Sequence, residues 1–492
     1  LGAALGARTT TEVFVLDGAR TLVYRGAIDD QVGRGVVQPA ARHAYLRDAL
    51  EETLAHRKVT VAATSAPGCL LGIEATGTDP QAAEPRAGDP QPAQRQASDP
   101  QAAQPPAYHR EVARILARNC VECHRTGGVA PFALETYAQA KGRKAMIDLV
   151  VADGLMPPWF AAPHTGPWQN DRRLSETDKA TLLAWIEAGA PEGDPAEAPL
   201  AYVYPDGWRI GVPDLVFRMQ PFEVPAEGVV TQRYFEIEQA VPEDLWIQRL
   251  EVRPEARAVV HHVTVSYQVQ AGAGAAPERE LRRRLLSWSR SANEGWVFLF
   301  GYLPGKGPRS YPDGIARFLP KGARLRFDMH YTPNGKRVVD QTALGLVLAE
   351  EPPTLVAESR NLWNVDIDIP PLTPSVTFTR EYPIQHDVLL RSLTPHMHLR
   401  GKSMVAELIR PDGQREQLID VPAWDQDWQF NYVFRTARFA PAGSKVRVTA
   451  TYDNSAGNPA NPDPSARVKD GPQTTDEMMS LVLEWIRPRV TE

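Results

Sequence analysis

The feature that most constrains this chain is a stretch that cannot fold. From Ile73 to about Pro106 the sequence runs through GTDPQAAEPRAGDPQPAQRQASDPQAAQPP, biased to Pro, Ala, Gln and Asp with a loose DPQ recurrence. Such a composition has too little apolar surface to offset the entropy of ordering, so residues 74–107 are expected to form an extended, disordered linker whose use is reach. It divides the 492 residues into a short N-terminal segment and a long C-terminal block. The total is too long for one core, and about three domains are expected.

Residues 1–73 read as strand, strand, helix, strand: TEVFVLDGARTLVYRGAIDD turns at Gly18, RHAYLRDALEETLAHR has helical spacing, and VTVAAT closes the unit. Residues 108–196 carry helical patterns at YHREVARILARN and at SETDKATLLAWIEAG, the second opened by Ser175 and Asp178 as a capping box and closed by Gly189. Beyond about residue 200 come short β-rich runs, DLVFRM, VVHHVTVSYQV, ARLRFDMHYT, DVLLRSL, MVAELI and KVRVTATYD, separated by Pro and Gly turns. That spacing predicts all-β sandwich architecture long enough for two sandwiches.

A formal charge of −6 argues against nucleic acid or an anionic membrane as a partner. The richest apolar run, WVFLFGYL at 296–303, is far too short to span a bilayer. The chain begins at Leu1 rather than at a methionine, so its start says nothing about export. Three cysteines exclude a disulfide framework; Cys69 reads as a lone structural or free thiol. ERELRRRLLSWSR at 278–290 reads as a solvated helix face ahead of a dock for an acidic partner, and WDQDWQFNY as aromatic core ahead of a cleft lining.

Two groups of residues carry chemistry. Cys120-Val121-Glu122-Cys123-His124 has the C-x-x-C-H form of covalent heme c attachment. Two thiols on a helix can reach the two vinyl groups while the next residue offers imidazole to the iron. Zinc would need further ligands, and the neighbouring His109 and His164 lack finger-like spacing. Met156 in GLMPPWF is the preferred sixth ligand, ahead of Met146 inside a helix, with core packing as its plainer alternative.

The second group is histidine. Of eleven in the chain, six follow residue 200, and five of those fall in three motifs: His261-His262, His330, and His396 with His398. Side chains on a strand alternate, so His396 and His398 share a face and Met397 points away; His261 and His262 need a strand end or a bulge to converge. Imidazoles suit several metals, and an added thioether, offered by TTDEMMSLVLEW, favours copper(I).

On these motifs, residues 205–492 resemble the type II, ascorbate-dependent copper monooxygenases, the family of peptidylglycine α-hydroxylating and dopamine β-monooxygenases. The resemblance implies two nine-stranded sandwiches, 205–352 and 353–492. It also implies two coppers, one on His261, His262 and His330 that supplies an electron, and one on His396, His398 and Met478 where oxygen binds. Met479 competes with Met478 for that place. The family's carboxylate-binding residues are replaced here by Thr394, Ser480 and Val482, so a glycine-extended peptide is not the expected substrate. No cysteine lies in this region, unlike the disulfide-bearing animal enzymes.

Residues 112–194, with NCVECHRTGGVAPF and MPPW, resemble the c-type cytochrome domains fused to bacterial copper monooxygenases, which implies a small all-α heme domain and a periplasmic or otherwise extracytoplasmic location. Residues 1–73 resemble the back half of a thioredoxin-like redoxin domain; the cis-proline position is Thr11, no cysteine precedes Cys69, and no redox catalysis is assigned. The function implied is hydroxylation of a C–H bond of a small substrate with O2, fed by the heme, ascorbate or a periplasmic electron donor. The alternative is a non-catalytic heme and copper protein that binds copper or passes electrons.

Overall fold

The computed structural model describes residues 11–33, 36–37, 40–64, 66, 104–200, 207–268, 296–303 and 306–489. Most of the expected linker, Cys69 and the basic stretch at 278–290 lie outside the described residues.

The N-terminal segment is a hairpin of β1 (Val13–Leu16) and β2 (Leu22–Gly26), a two-residue pair β3 (Val32–Gly33) and β4 (Val36–Val37), and the helix Tyr45–Leu54. Val15, Tyr24, Ala49 and Val59 form its small core. VTVAAT, expected as a strand, contributes a single parallel bridge from Ala63 to Arg25.

A helical segment follows. One π-turn, Tyr108–Val112, leads into the helix Ala113–Asn119, then come Tyr137–Gly142, Lys144–Ala152 and Glu176–Glu187. The Ser175 side chain accepts from the Asp178 amide at 3.0 Å, as the capping pattern predicts. Leu116, Val112, Leu182 and Trp185 pack its core.

The remainder is β. Its first half holds β5 (Leu215–Arg218), β6 (Phe222–Val224), β7 (Arg233–Glu236), β8 (Leu245–Arg253), β9 (Val260–Gln268), β10 (Trp296–Tyr302), β11 (Arg309–Ser310), β12 (Ile315–Leu319), β13 (Arg324–Tyr331), β14 (Val338–Asp340) and β15 (Ala343–Leu348). The second holds β16 (Leu355–Trp363), β17 (Asp368–Ile369), β18 (Val376–Pro383), β19 (Val388–His396), β20 (Gly401–Ile409), β21 (Arg415–Val421), β22 (Tyr432–Ala440), β23 (Lys445–Tyr452), β24 (Val468–Lys469) and β25 (Ser480–Pro488). All six β-rich runs picked out in the sequence are strands.

Two separate nine-stranded sandwiches were expected. Instead one nine-stranded sheet runs through both halves in the order β22-β19-β25-β16-β12-β8-β15-β5, with β11 added on β8. The join is the parallel pair β12–β16. Each half is closed by its own four-stranded sheet, β10-β9-β13-β7 or β18-β23-β20-β21, over its own apolar core. Alternation decides which face is buried: along β23, Val446, Val448, Ala450 and Tyr452 point inward while their neighbours are partly or fully exposed. Near the join, buried Glu484 on β25 accepts the Tyr311 hydroxyl at 2.9 Å and lies 3.4, 4.0 and 3.7 Å from Arg309, Arg317 and Arg391. These cations outweigh burial and hold its carboxyl below the ordinary range.

The helical segment is clamped to both halves. Glu122 pairs with Arg209 at 2.8 Å. The strap after Met156 inserts Ala161 and Trp168 into the second core, with Trp168 stacked on Phe434 and tilted against Tyr432. Gln169 N donates to Val433 O at 2.7 Å and Ala162 N to Asp420 O at 2.8 Å. Residues 159–170 therefore belong to the second sandwich as much as to the helices.

Candidate metal centres

The first imidazole cluster is built by pairing. His330 on β13 lies opposite His262 on β9, and the next pair is Tyr331 with Val260, so His261 is the extra residue of a bulge. The bulge turns adjacent histidines toward one point, as an adjacent pair requires. The ligating atoms of His261, His262 and His330 all lie within 4.8 Å of one another. His261 Nδ1 is 3.1 Å from His262 Nδ1, and His330 Nδ1 is buried with no hydrogen-bond partner among the described residues. Two nitrogens facing each other and a third left bare are what three donors to one ion look like. Burial pulls all three imidazoles toward the neutral form, His330 down to about 4. Each neutral ring keeps one nitrogen lone pair at neutral pH, and an ion could take up the one now engaged between His261 and His262.

The second cluster stands where strands end. His396 closes β19, and the rings of His396 and His398 are 5.1 Å apart and nearly perpendicular. Met397 between them is fully buried in the second core. His396 Nδ1 donates to Gln429 Oε1 at 2.6 Å and His398 Nδ1 to Asp476 O at 3.2 Å, which fixes both tautomers and leaves both Nε2 atoms as donors to an ion. Burial pulls His398 down to about 3.

The thioether follows from register. His396 pairs with Ser480 across β19 and β25; continued by two residues, that antiparallel pairing sets His398 against Met478 and Met397 against Met479. Met479 is fully buried, its sulfur accepting Asn364 Nδ2 at 3.4 Å, so it is core. Met478 is half-buried and shares the histidine side. His262 is lowered by the charges of His396 and His398, and His398 by that of His330, so the two clusters lie within electrostatic reach of each other.

Glu477, Gln429 and Trp424 escaped the sequence reading. The buried Glu477 carboxylate accepts the backbone amides of His398 at 2.8 Å, of Arg400 and of Met478 at 3.3 Å, tying the H-x-H loop to the methionine loop. Desolvation raises its carboxyl to about 7. Trp424 Nε1 donates to His398 O at 3.2 Å, and its indole lies so near Gly401 that a Cβ there would meet it at 2.6 Å. In WDQDWQFNY, Phe430 and Tyr432 join the second core with Trp424 and Trp428 packed on it, as the aromatic reading expected, while Gln429 reaches His396 and the charge of Asp427 acts on His261. The acidic DEM triplet was the visible signal for Glu477.

The C-x-x-C-H motif was expected on a helix; it occupies the turn just beyond one. The helix stops at Asn119, and Cys123 N at 3.2 Å and His124 N at 2.9 Å both bond back to Cys120 O. Cys120 and Cys123 are half-buried free thiols, and burial pushes Cys120 up to about 12. His124 Nδ1 donates to Phe132 O at 3.1 Å, leaving Nε2 for an axial bond. His109 faces Glu192 at 3.5 Å and His164 faces Asp420 at 3.4 Å, so neither turns to the thiols. Two thiols beside one oriented imidazole, with neither His109 nor His164 turned toward them, fit heme attachment better than a four-ligand zinc site. Met156 is half-buried past the helix Lys144–Ala152, its amide on Val150 O at 3.0 Å.

No family model matches the chain, and no curated protein matches it. Among solved structures it is similar to the major capsid protein P2 of bacteriophage PM2, with TM-score 0.22 and 8% identity over 56% of this chain and 99% of that one. It is also similar to the infectious bursal disease virus Gx strain structure, with TM-score 0.17 and 9% identity over 56% of this chain and 77% of that one. Likenesses this low do not bear on function. No helix among the described residues is long and apolar enough to cross a membrane.

Proposed function

We propose that this chain is an extracytoplasmic copper monooxygenase that hydroxylates a C–H bond of a small substrate with O2, drawing electrons from a covalently attached heme c, from ascorbate, or from both. The observation that supports the reading is the bulge-built triad His261, His262 and His330 together with the oriented pair His396 and His398, each cluster within electrostatic reach of the other; the continued register of β19 and β25 would add Met478 opposite His398. The domain reading that goes with it is a redoxin-like segment, a cytochrome c-like helical domain and two copper-binding β halves.

Copper at these positions supplies one-electron redox chemistry, and each turnover uses one O2, two electrons and two protons to make an alcohol and water. The chain's own part is to keep five imidazoles neutral by burial and to aim them. Gln429 and the Asp476 carbonyl hold the second pair with Nε2 forward, while Glu477 keeps His398 and Met478 on one rigid junction. Cys120, Cys123, His124 and, as a further candidate, Met156 would hold the heme, which would supply one-electron transfer when bound. Thr394 and Ser480, at the places of the family's carboxylate binders, are occupied by Asn431 at 2.9 Å and Asn361 at 2.6 Å, which supports a substrate other than a peptide carboxylate.

The test loads the purified protein with copper, reduces it and supplies ¹⁸O2 with a small-molecule extract. Two coppers per chain and a product carrying one labelled oxygen are expected. Label recovered only in water or peroxide, across all substrates tried, would leave a copper and heme protein that passes electrons without oxidising a substrate.

A further inference from the structure

A recess lies between the C-x-x-C-H turn and the first β half, lined by Cys123, Tyr302 and a ring of charged groups. Its charge is unbalanced. Among the described lining residues, Arg125, Arg209, Arg257 and Lys306 face Glu122 and Glu251, four positive groups against two negative, a surplus of two. The carboxylates are already engaged: Glu122 pairs with Arg209 at 2.8 Å and Glu251 accepts the Arg209 amide at 2.6 Å. Neither Arg257 nor Lys306 forms an ion pair with a carboxylate among the described residues; Lys306 Nζ lies 4.6 Å over the Phe300 ring and feels the charge of Glu484 from a distance. Burial pulls the Lys306 ammonium down to about 7, a cost that an anion at Nζ would offset.

Tyr302 is the second observation. It is 8% exposed, and its hydroxyl has no hydrogen-bond partner among the described residues. A buried hydroxyl left bare costs about 1–3 kcal/mol, so one on a residue that lines a recess marks a place for an acceptor. Burial raises this phenol, and the charges that act on it are those of Arg257, Cys123 and Asp340, which places it near both the C-x-x-C-H turn and Arg257. Tyr302 ends β10 and pairs with Val263 on β9, the residue after His262.

We propose that this recess seats the carboxylate-bearing edge of the heme attached at Cys120 and Cys123, with Arg257 and Lys306 neutralising its two carboxylates and the Tyr302 hydroxyl donating to one of them. The proposal rests on the heme reading above and deepens it, because it makes the heme site a joint product of the helical segment and the first β half. Two surplus cations match two carboxylates, and the seat lies one strand from the His261, His262 and His330 cluster. Electron delivery to that cluster then needs no movement of one part against another.

The test compares full-length wild type with Arg257→Gln/Lys306→Met and, separately, Tyr302→Phe, measuring covalent heme by pyridine hemochrome, copper per chain, and the heme midpoint potential. Cations beside a heme disfavour its ferric form, so removing two should favour oxidation. The expected result is unchanged heme and copper content with the reduced-to-oxidised ratio at fixed ambient potential lowered about tenfold, 59 mV for one electron. Tyr302→Phe should move the ratio in the same direction by less. Heme bound normally with a ratio unchanged in all variants overturns the seat and leaves the heme reading standing. Wild type carrying no covalent heme overturns both. If the double variant fails to fold, Arg257→Lys, which keeps the charge and should keep the potential, read against Arg257→Gln alone decides the matter.

Discussion

The two imidazole clusters reach the same part of the molecule by opposite routes. His261, His262 and His330 are positioned by the sheet: a bulge in β9 opposite β13 does the aiming, and the ring nitrogens of His261 and His262 face each other without any helper residue. His396 and His398 sit at and just past the end of β19, and their aim comes from Gln429, Asp476 and Glu477 on other segments. A site made by strand register is as rigid as the ladder beneath it. One made by side chains across loops can be tuned residue by residue, and can be lost the same way. The donor atoms differ accordingly, Nδ1 turned inward at the first cluster and Nε2 offered at the second.

The sharpest way to break the comparison removes one sheet-held ligand. His330→Ala should lower bound copper from two per chain to one, with the remaining ion still bound by His396 and His398 and hydroxylation abolished. Metal analysis with electron paramagnetic resonance of the cupric protein checks this. If both ions are lost together, the clusters are one cooperative site and the contrast drawn here is wrong.

Next in size is Glu477→Gln. The carboxylate accepts three backbone amides, and an amide in its place presents an NH2 to at least one of them. Leaving such a buried donor unmet costs about 1–3 kcal/mol. The second copper should bind ten- to a hundredfold more weakly, by the usual worth of groups that orient a ligand, while the first is unchanged. Urea unfolding and chelator competition measure the two effects separately. The pH sense follows from the raised carboxyl. With a folded value of about 7 against a lower unfolded one, its contribution to stability is complete at acid pH and is lost as pH rises through about 7, and the glutamine variant should lack that slope.

Gln429→Leu should act on one ring only. His396 loses the acceptor that holds Nδ1, and about tenfold weaker copper binding at the second cluster is expected, with no change at the first or in folding stability beyond about 1 kcal/mol. An equal loss at both clusters would mean that the 424–432 segment supports them jointly, through Asp427 as well as Gln429.

Much of this site could be read from residue order. Adjacent histidines on a strand need a strand end or a bulge to converge, and the structure supplies the bulge; H-x-H asks for a shared face, and the rings stand 5.1 Å apart. What escaped was everything that depends on distant pairing. Gln429 is 33 residues from His396 and Glu477 79 from His398, and no local period links them. The common sheet escaped for the same reason: alternation tells which face of β12 or β16 is buried, but not that the two strands lie side by side. The strap at 159–170 reads as a proline-rich loop, and its docking on β22 rests on contacts about 260 residues away in sequence. The C-x-x-C-H motif lies one turn past the helix end, because the regular ladder stops at Asn119: Val121 N bonds five residues back to Leu116 O and Cys123 N only three back to Cys120 O, an irregularity the residue pattern does not show.

The smallest predicted effect separates two neighbouring methionines. Register puts Met478 on the histidine side and Met479 in the core beside Asn364. Met479→Leu is nearly volume-conserving and should cost less than about 1.5 kcal/mol of stability with both coppers bound as before. Met478→Leu should leave stability unchanged and instead weaken copper(I) selectively over copper(II) at the second cluster, since the thioether is the soft donor there. X-ray absorption of the reduced protein reads this directly as loss of one sulfur scatterer in the Met478 variant and its retention in the Met479 variant. The reverse pattern would mean that β25 enters the site one residue out of the register seen here, which would also turn Ser480 away from His396 and break the pairing on which the second cluster is built.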